Sequence, residues 1–454
     1  MRYAPSFPAL VPAIPLYLEC QRCSGVGVRN ARAGSSIDAP LVPAMSVCGC
    51  DSTGLRPVDE AISELLARVP APPPAEHVAL GDALGRVLAE PLVAPFAVPA
   101  WDNSAMDGYA LRAADLSADG GSLPLAGRIA AGDDAGVTLP AGHAVRIFTG
   151  APLPPGADTV VPQERCRVEG DQVWLPSVRR GDHVRRQGEE LQAGSLVLEP
   201  GKRIRPQELG VLASFGVDRV AVYRRLRVGL LSSGNELREP GEPLAPGQIY
   251  NSNRYSLLGV LRSLGLEVHD YPVLVDELAA SRDALSLGAA EMDVLITSGG
   301  VSVGEEDHLK HAIRELGELH LWRLAIQPGK PLAFGEVGGK PWIGLPGNPA
   351  AALITSLVVA RPFLLRAQGQ RDVLPTKVQL PAGFTWSKAN GRRQYLRARL
   401  ETIAGETRVC LHPGQGSAML SSASWADGLA IVECNRTVAE GEPVGYLAFS
   451  DLLS

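Results

Sequence analysis

Between Leu226 and Gly369 the chain alternates short apolar runs with amphipathic segments, and this β-α rhythm constrains the fold more than any other feature. RVGLLSS (227–233) reads as a strand. RYSLLGVLRSLG (254–265) reads as a helix with Leu257, Leu258, Leu261 and Leu264 on one face and Gly265 just past its end. LEVHDYPVLV, a helix over 277–290, DVLIT, helix EDHLKHAIRELG, strands around HLWRLAI, PLAFGEV and PWIGL, and a helix from Ala350 follow in turn. Strands linked through helices cannot pair as tight hairpins. Right-handed crossovers then place helices on both faces of a parallel sheet.

The remainder divides around this unit. Residues 226–371 are expected as the α/β domain, 52–97 together with 194–225 as an α+β domain, 98–193 as a β-rich domain, and 372–454 as a small β domain, a barrel or sandwich. Helices are expected over PVDEAISELLARV, with Ala61, Leu65, Leu66 and Val69 inward, around LGDALGRVLAE (80–90), and over 206–215. The apolar stretch 350–365 is broken by Arg361 and Pro362 and is shorter than the ~20 residues that span a bilayer, so it reads as a buried helix. A formal charge of −6 argues against nucleic acid as a partner, because a basic stripe is what phosphate-backbone affinity needs. Cys166, Cys410 and Cys434 are expected to pack as small apolar groups.

Residues 1–51 are read as a disordered extension, with Met45 as an alternative start. Pro5, Pro8, Pro12 and Pro15 break the helix that a signal peptide requires, which points to the cytoplasm and away from membranes. Cys20, Cys23, Cys48 and Cys50 have zinc-ligand chemistry, but the intervening residues lack the periodicity that would position them.

In an open parallel sheet, ligands bind where loops converge at the carboxyl ends of the strands. Four such ends carry markers: SSGNEL (232–237), Asp276 after YPVLV, SGGVSVGEED (298–307) and PGNP (346–349). The loop of Ser298, Gly299, Gly300 and Ser302 offers unhindered N–H groups and reads either as an anion cradle or as a tight strand-to-helix turn. Glu236, Asp276 and Asp307 are expected on one rim, where carboxylates beside a phosphate call for a bridging Mg²⁺. Lys330 in PGKP is aimed by flanking prolines. Pro346, Gly347, Asn348 and Pro349 lead into a helix whose N-terminus is expected to be a second anion-attracting end. His308 and His311 are read as surface residues of a helix.

At these residues the sequence resembles the molybdopterin molybdenumtransferase family, the MoeA type, from about Pro57 onward. DNSAMDGYA (102–110), RIFTGAP (146–152), RRQGEE (185–190), SSGNEL, GQIYNSN (247–253), TSGGVSVGEED (297–307), IQPGKP (326–331) and GLPGNP (344–349) carry the resemblance. It implies a multidomain α/β chain with a MogA-like central domain, a β-rich inserted domain, an elongated α+β domain and a C-terminal β-barrel domain. It also implies Mg²⁺-dependent insertion of molybdate into adenylyl-molybdopterin with release of AMP, by a cytoplasmic homodimer that passes its product to other cofactor-biosynthesis proteins. By the same pattern Asp107, Thr149 and Glu189 approach the cleft from the partner subunit, and Lys330, Arg397 and Ser417 belong to oxyanion capture. Gln327, Ala351 and Glu190 depart from the pattern, in which a lysine, a serine and an aspartate are frequent.

An adenylyltransferase of the pterin, a pyridine-nucleotide amidase relative, or a non-catalytic scaffold of the same architecture are the alternatives. The first two typically carry GGTG where Gly300 is here followed by Val-Ser-Val-Gly, and an intact carboxylate set argues against the third. Trimming the chain to Met45 is expected to remove no bound metal; stoichiometric zinc in the full chain, lost on trimming, would refute the reading of the first 44 residues.

Overall fold

The computed structural model describes residues 54–134, 136, 138–299 and 308–454. The N-terminal extension with its four cysteines, Gly300, Ser302 and Asp307 lie outside the described residues.

Six strands form the central sheet: β1 (Arg227–Ser232), β2 (Glu267–Asp270), β3 (Val294–Ser298), β4 (Gly317–Arg323), β5 (Pro331–Val337) and β6 (Lys340–Leu345), in the order β2-β1-β3-β6-β5-β4. Both faces are buried, so neighbouring residues point into different cores. Leu230, Ile296 and Ile343 face α1 (Ser252–Ser263) and α4 (Pro349–Ala367), whereas Leu231, Leu295 and Trp342 face α2 (Leu278–Glu291) and α3 (His308–Leu316). This continuous apolar character is what a doubly covered sheet requires.

The parallel sheet that the sequence leads one to expect carries an antiparallel edge. β1, β2, β3 and β6 are parallel, but β5 is antiparallel to both β4 and β6. The cause is local: Gly338 and Gly339, with φ of 55° and 74°, make the two-residue turn that returns β5 directly into β6.

α4 runs for 19 residues and is 89% buried within the chain's own core over its most apolar window. Its middle turn widens to a π-helix over Ser356–Ala360. Pro362, just beyond, has no N–H to donate and its ring would crowd the preceding turn, which the wider turn relieves. Phe363, fully buried, meets Phe334 edge-on with ring centroids 5.7 Å apart.

Outside the central sheet, strands between Gly108 and Leu175 form a six-stranded sheet in which Gly108–Leu111 lies between Ala144–Ile147 and Thr159–Pro162. Helix Pro206–Ser214 packs near the antiparallel pair Ala75–Ala79 and Arg219–Tyr223. Arg393–Ile403, Gly428–Val432, Pro443–Ala448 and Val378–Pro381 build the C-terminal sheet. Ile326–Gln327 joins that sheet parallel to Arg393, so the segment leading to Lys330 is held by the C-terminal layer. The helix expected over 80–90 is a single 3₁₀ turn, Leu80–Asp82. Gly85 in the left-handed region ends it, and Val87 and Leu88 extend to bridge Arg203 and Val222. Cys434 is exposed, contrary to expectation, while Cys166 and Cys410 are half-buried.

Phe363→Ala is expected to lower stability by about 3–5 kcal/mol, because the cavity left between β5 and α4 cannot collapse. Urea unfolding measures this.

Candidate active site

The parallel register aligns the ends of three strands: Ser232 lies opposite Ser298, and Ser298 opposite Leu345. The loops that follow therefore emerge at one edge and wall a cleft of about 970 Å³. Glu236, Asp276, Ser298, Gly299, Lys330, Pro346, Gly347, Asn348, Pro349 and Ser417 all line it.

Gly299, with φ of 89°, turns the chain away from β3, a conformation a Cβ would strain. Its N–H is used, donating to Leu345 O at 3.2 Å. Asn253 Nδ2 donates to Ser298 Oγ at 2.9 Å and to Gly347 O at 2.7 Å, fastening two of the loops together. Asn253 stands in the first turn of α1, which Asn251 caps by accepting from Arg254 N at 3.2 Å. The carboxylates of Glu236 and Asp276 make no hydrogen bond or ion pair with any described residue.

The C-terminal layer closes the cleft. Ser417 O accepts from Ala350 N at 3.0 Å and Ala351 N at 3.2 Å, so the first N–H groups of α4 are occupied. The expectation that this helix end binds an anion with those groups is thereby corrected: it binds the 414–417 loop.

Arg397 is fully buried beneath that loop and does not line the cleft. Its guanidinium donates to Gly416 O at 3.0 Å, Gly414 O at 3.3 Å and Ser422 Oγ at 2.9 Å, and burial pushes its pKa down to about 10. In this position it holds the loop that carries Ser417. Arg392, which sequence reasoning missed, does line the cleft, and no described residue pairs with its side chain. Only its place two residues after Asn390, whose amide donates to Gln327 Oε1 at 3.1 Å, brings it there.

The comparisons decide what this cleft belongs to. Residues 56–216 match the MoeA N-terminal region (domain I and II), 229–366 a probable molybdopterin binding domain, and 379–449 the MoeA C-terminal region (domain IV). The chain is similar to a molybdopterin molybdenumtransferase of Haemophilus influenzae, 38% identical over 401 residues that cover 87% of this chain and 99% of the relative. It is similar also to a molybdopterin molybdenumtransferase 2 of Mycobacterium tuberculosis, 40% identical over 68% of this chain and 80% of the relative. The chain belongs to the molybdopterin molybdenumtransferase family. Its fold matches the crystal structure of a molybdopterin biosynthesis MoeA protein from Pyrococcus horikoshii OT3, with a TM-score of 0.75 and 27% identity over 87% of this chain and 100% of the other. A second structure of a MoeA protein from the same genus gives a TM-score of 0.69 at 31% identity, over 87% of this chain and 99% of the other. The chain is accordingly a transferase of molybdenum cofactor biosynthesis.

Not every residue singled out in this family member meets in the first cleft. Asp107, Thr149 and Glu189 lie apart from it in the same chain. Glu189 lines a second cavity of about 710 Å³, together with Trp101, Arg185 and Glu190. Its Oε2 accepts from Arg186 N at 2.9 Å. Asp107 Oδ1 accepts from both Thr149 N and Thr149 Oγ1 at 2.8 Å, and these two bonds hold its carboxyl below the usual range. A depressed carboxyl contributes stability above its unfolded pKa, and this is lost as pH falls through the folded value. Thr149→Val removes the hydroxyl donor and leaves the N–H. The Asp107 titration, followed by NMR, is expected to move part of the way back toward the ordinary aspartate range; an unmoved titration would show that the hydroxyl bond does not form in solution.

Proposed function

We propose that the chain catalyses Mg²⁺-dependent insertion of molybdate into adenylyl-molybdopterin with release of AMP, yielding the molybdenum cofactor. The observation that carries this reading is the pairing, in one cleft, of two unengaged carboxylates with Lys330, Arg392 and Ser417. Acids and anion-binding groups side by side suit a ligand that is itself anionic and metal-bridged.

Among the described residues no group of three His, Cys, Asp or Glu side chains forms a metal cage. Mg²⁺ does not need one, since it usually takes one or two carboxylates and completes its shell with water and substrate phosphate. Glu236 and Asp276 fit that role, with Asp307 added by the family pattern. The chemistry supplied by bound Mg²⁺ is neutralisation of phosphate charge and polarisation of the phosphoryl group.

The chain's own residues position and neutralise. The Ser298–Gly299 turn and the 346–349 loop, tied by Asn253, receive the pterin nucleotide at the strand ends. Lys330, Arg392 and the Ser417 hydroxyl bind the molybdate oxyanion; a planar guanidinium and a point-charge ammonium suit a tetrahedral dianion. Arg397 acts through the loop it supports. Because Gln327 is neutral, the positive charge at this subsite rests on Lys330 and Arg392. No side-chain nucleophile is required: water or a molybdate oxygen attacks the anhydride phosphorus and AMP leaves, while the dithiolene sulfurs replace molybdate oxygen, which departs as water after protonation, and both steps depend on holding the partners in register. In a homodimer, Asp107, Thr149 and Glu189 of a second copy complete the cleft that one chain leaves open. The cytoplasm is the compartment that suits such an enzyme, with other cofactor-biosynthesis proteins as acceptors of the product.

Purified protein incubated with adenylyl-molybdopterin, Mg²⁺ and molybdate is expected to release AMP only when molybdate is present. Release without molybdate, or none at all, would sink the reading; accumulation of adenylyl-molybdopterin from ATP and molybdopterin would establish the adenylyltransferase alternative. Lys330→Ala is expected to lower kcat/KM for molybdate about 10²-fold. Arg392→Ala should raise the KM for molybdate about tenfold or more, the loss of one charge-assisted hydrogen bond.

A further inference from the structure

Lys330 and Ser417 reach the cleft from different segments of the chain, so a third element must set the distance between them. The lysine ends a closed loop: Leu324 N donates to Lys330 O at 2.8 Å, and Ile326–Gln327 pair with Arg393–Gln394. Pro328 and Gly329, at the tip of that loop, are buried. Gly329, with φ of 109°, packs against Thr355 of α4, and a Cβ at position 329 would overlap Thr355 Oγ1. Only glycine allows so close an approach.

Thr355 is fully buried, and its hydroxyl has no hydrogen-bond partner among the described residues. A buried hydroxyl without a bond loses its hydration uncompensated, so the contact with Gly329 is one of shape. Thr355 closes the last α-helical turn before the helix widens at Ser356–Ala360. About one turn nearer the helix start, Ala350 and Ala351 donate to Ser417 O at 3.0 and 3.2 Å. Ala351 and Thr355, four residues apart, share one helix face, and Ala351 O lies 3.7 Å from where a Cβ on Gly329 would stand. One buried helix thus supports both segments: it bonds the loop of Ser417 and forms a hard stop under the loop of Lys330.

We infer that Thr355 is a positioning residue: by limiting how closely Gly329 approaches α4, it sets where the Lys330 ammonium stands relative to Ser417. The inference rests on the reading that Lys330 and Ser417 bind molybdate together. Thr355 does not line the cleft, so it acts through Gly329. The Ser417 loop is fixed to α4 by hydrogen bonds, whose lengths vary little, whereas the tip of the Lys330 loop rests on the helix by contact. The size of side chain 355 therefore governs the gap between ammonium and hydroxyl. An oxyanion held between two donors is sensitive to that gap, because charge-assisted hydrogen bonds form only within a narrow range of lengths.

Full-length Thr355→Ala, Gly329→Ala and the two combined test this. In the combined variant the new methyl at 329 faces the Cβ of position 355 at 3.6 Å, an ordinary van der Waals contact. Gly329→Ala is expected to raise the KM for molybdate about thirtyfold, with the KM for adenylyl-molybdopterin changed by less than about twofold. Thr355→Ala should raise the molybdate KM about threefold, and the combined variant should return it to within about threefold of the wild type, a rescue that general loss of stability would not produce. An alanine at φ of 109° stays strained, so both Gly329 variants should melt lower while only the KM is rescued. Crystal structures give a readout without turnover: Lys330 Cα is expected to move about 1 Å away from α4 in Gly329→Ala and to return in the combined variant. A molybdate KM equal in the single and combined Gly329 variants, or an unmoved Lys330, overturns the proposal. If Gly329→Ala does not fold, Thr355→Ala decides by itself, and an unchanged molybdate KM overturns the proposal. Wild-type protein that releases no AMP with molybdate strikes the proposed reaction instead, and the crystallographic comparison then decides the role of Thr355.

Discussion

The parallel register among β1, β3 and β6 is the constraint on which the site depends. Both faces of that sheet are filled by side chains, so no ligand can approach it from above or below. Only the strand ends remain, and with Ser232, Ser298 and Leu345 side by side the following loops have to share one edge. The cleft is therefore a by-product of core packing before it is a site. Chemistry enters through the few residues that the loops carry.

Loops alone are poor supports for chemistry, because each exposed turn retains conformational freedom. Here they are cross-fastened. Asn253 links the end of β3 to the 346–349 turn, and Ser417 O takes the leading N–H groups of α4. Arg397 then anchors the Ser417 loop from below through two backbone carbonyls. A buried arginine is costly to desolvate, and the depression of its pKa is the sign of that cost. Its carbonyl partners use the same charge to hold the loop closed. The 326–331 segment is tethered likewise, its first two residues being a strand of the C-terminal sheet. The cleft thus has one wall from the α/β unit and one from the β layer, and displacement of either would separate Asp276 from Lys330 and Arg392.

Much of this was legible in the sequence, and the division follows from the range of the forces involved. Helix α1 was readable because Leu257, Leu261 and Leu264 recur at the period of a helix, and periodicity is a local property. The strand-end residues were readable because glycine, proline and short polar groups after an apolar run mark a turn wherever they occur. Failure came where a local pattern was overruled. Residues 80–90 have helical spacing, but Gly85 and the pairing of Leu88 with Val222 take them into extended form. β5 and β4 fit an α/β rhythm, yet the Gly338–Gly339 turn reverses the chain and makes that edge antiparallel.

The sequence by itself determined the alternating architecture, the family motifs and nearly all of the groups that line the cleft, since residue type and short-range spacing suffice for each. Tertiary structure alone decided which of those groups face the cleft. Arg397 and Arg392 are five positions apart on one chain segment, and nothing local distinguishes them. One is sealed under a loop and the other opens onto the cavity, because their fates depend on contacts with Gly414, Gly416 and Ser422, residues distant in sequence that meet only when the C-terminal sheet folds against α4.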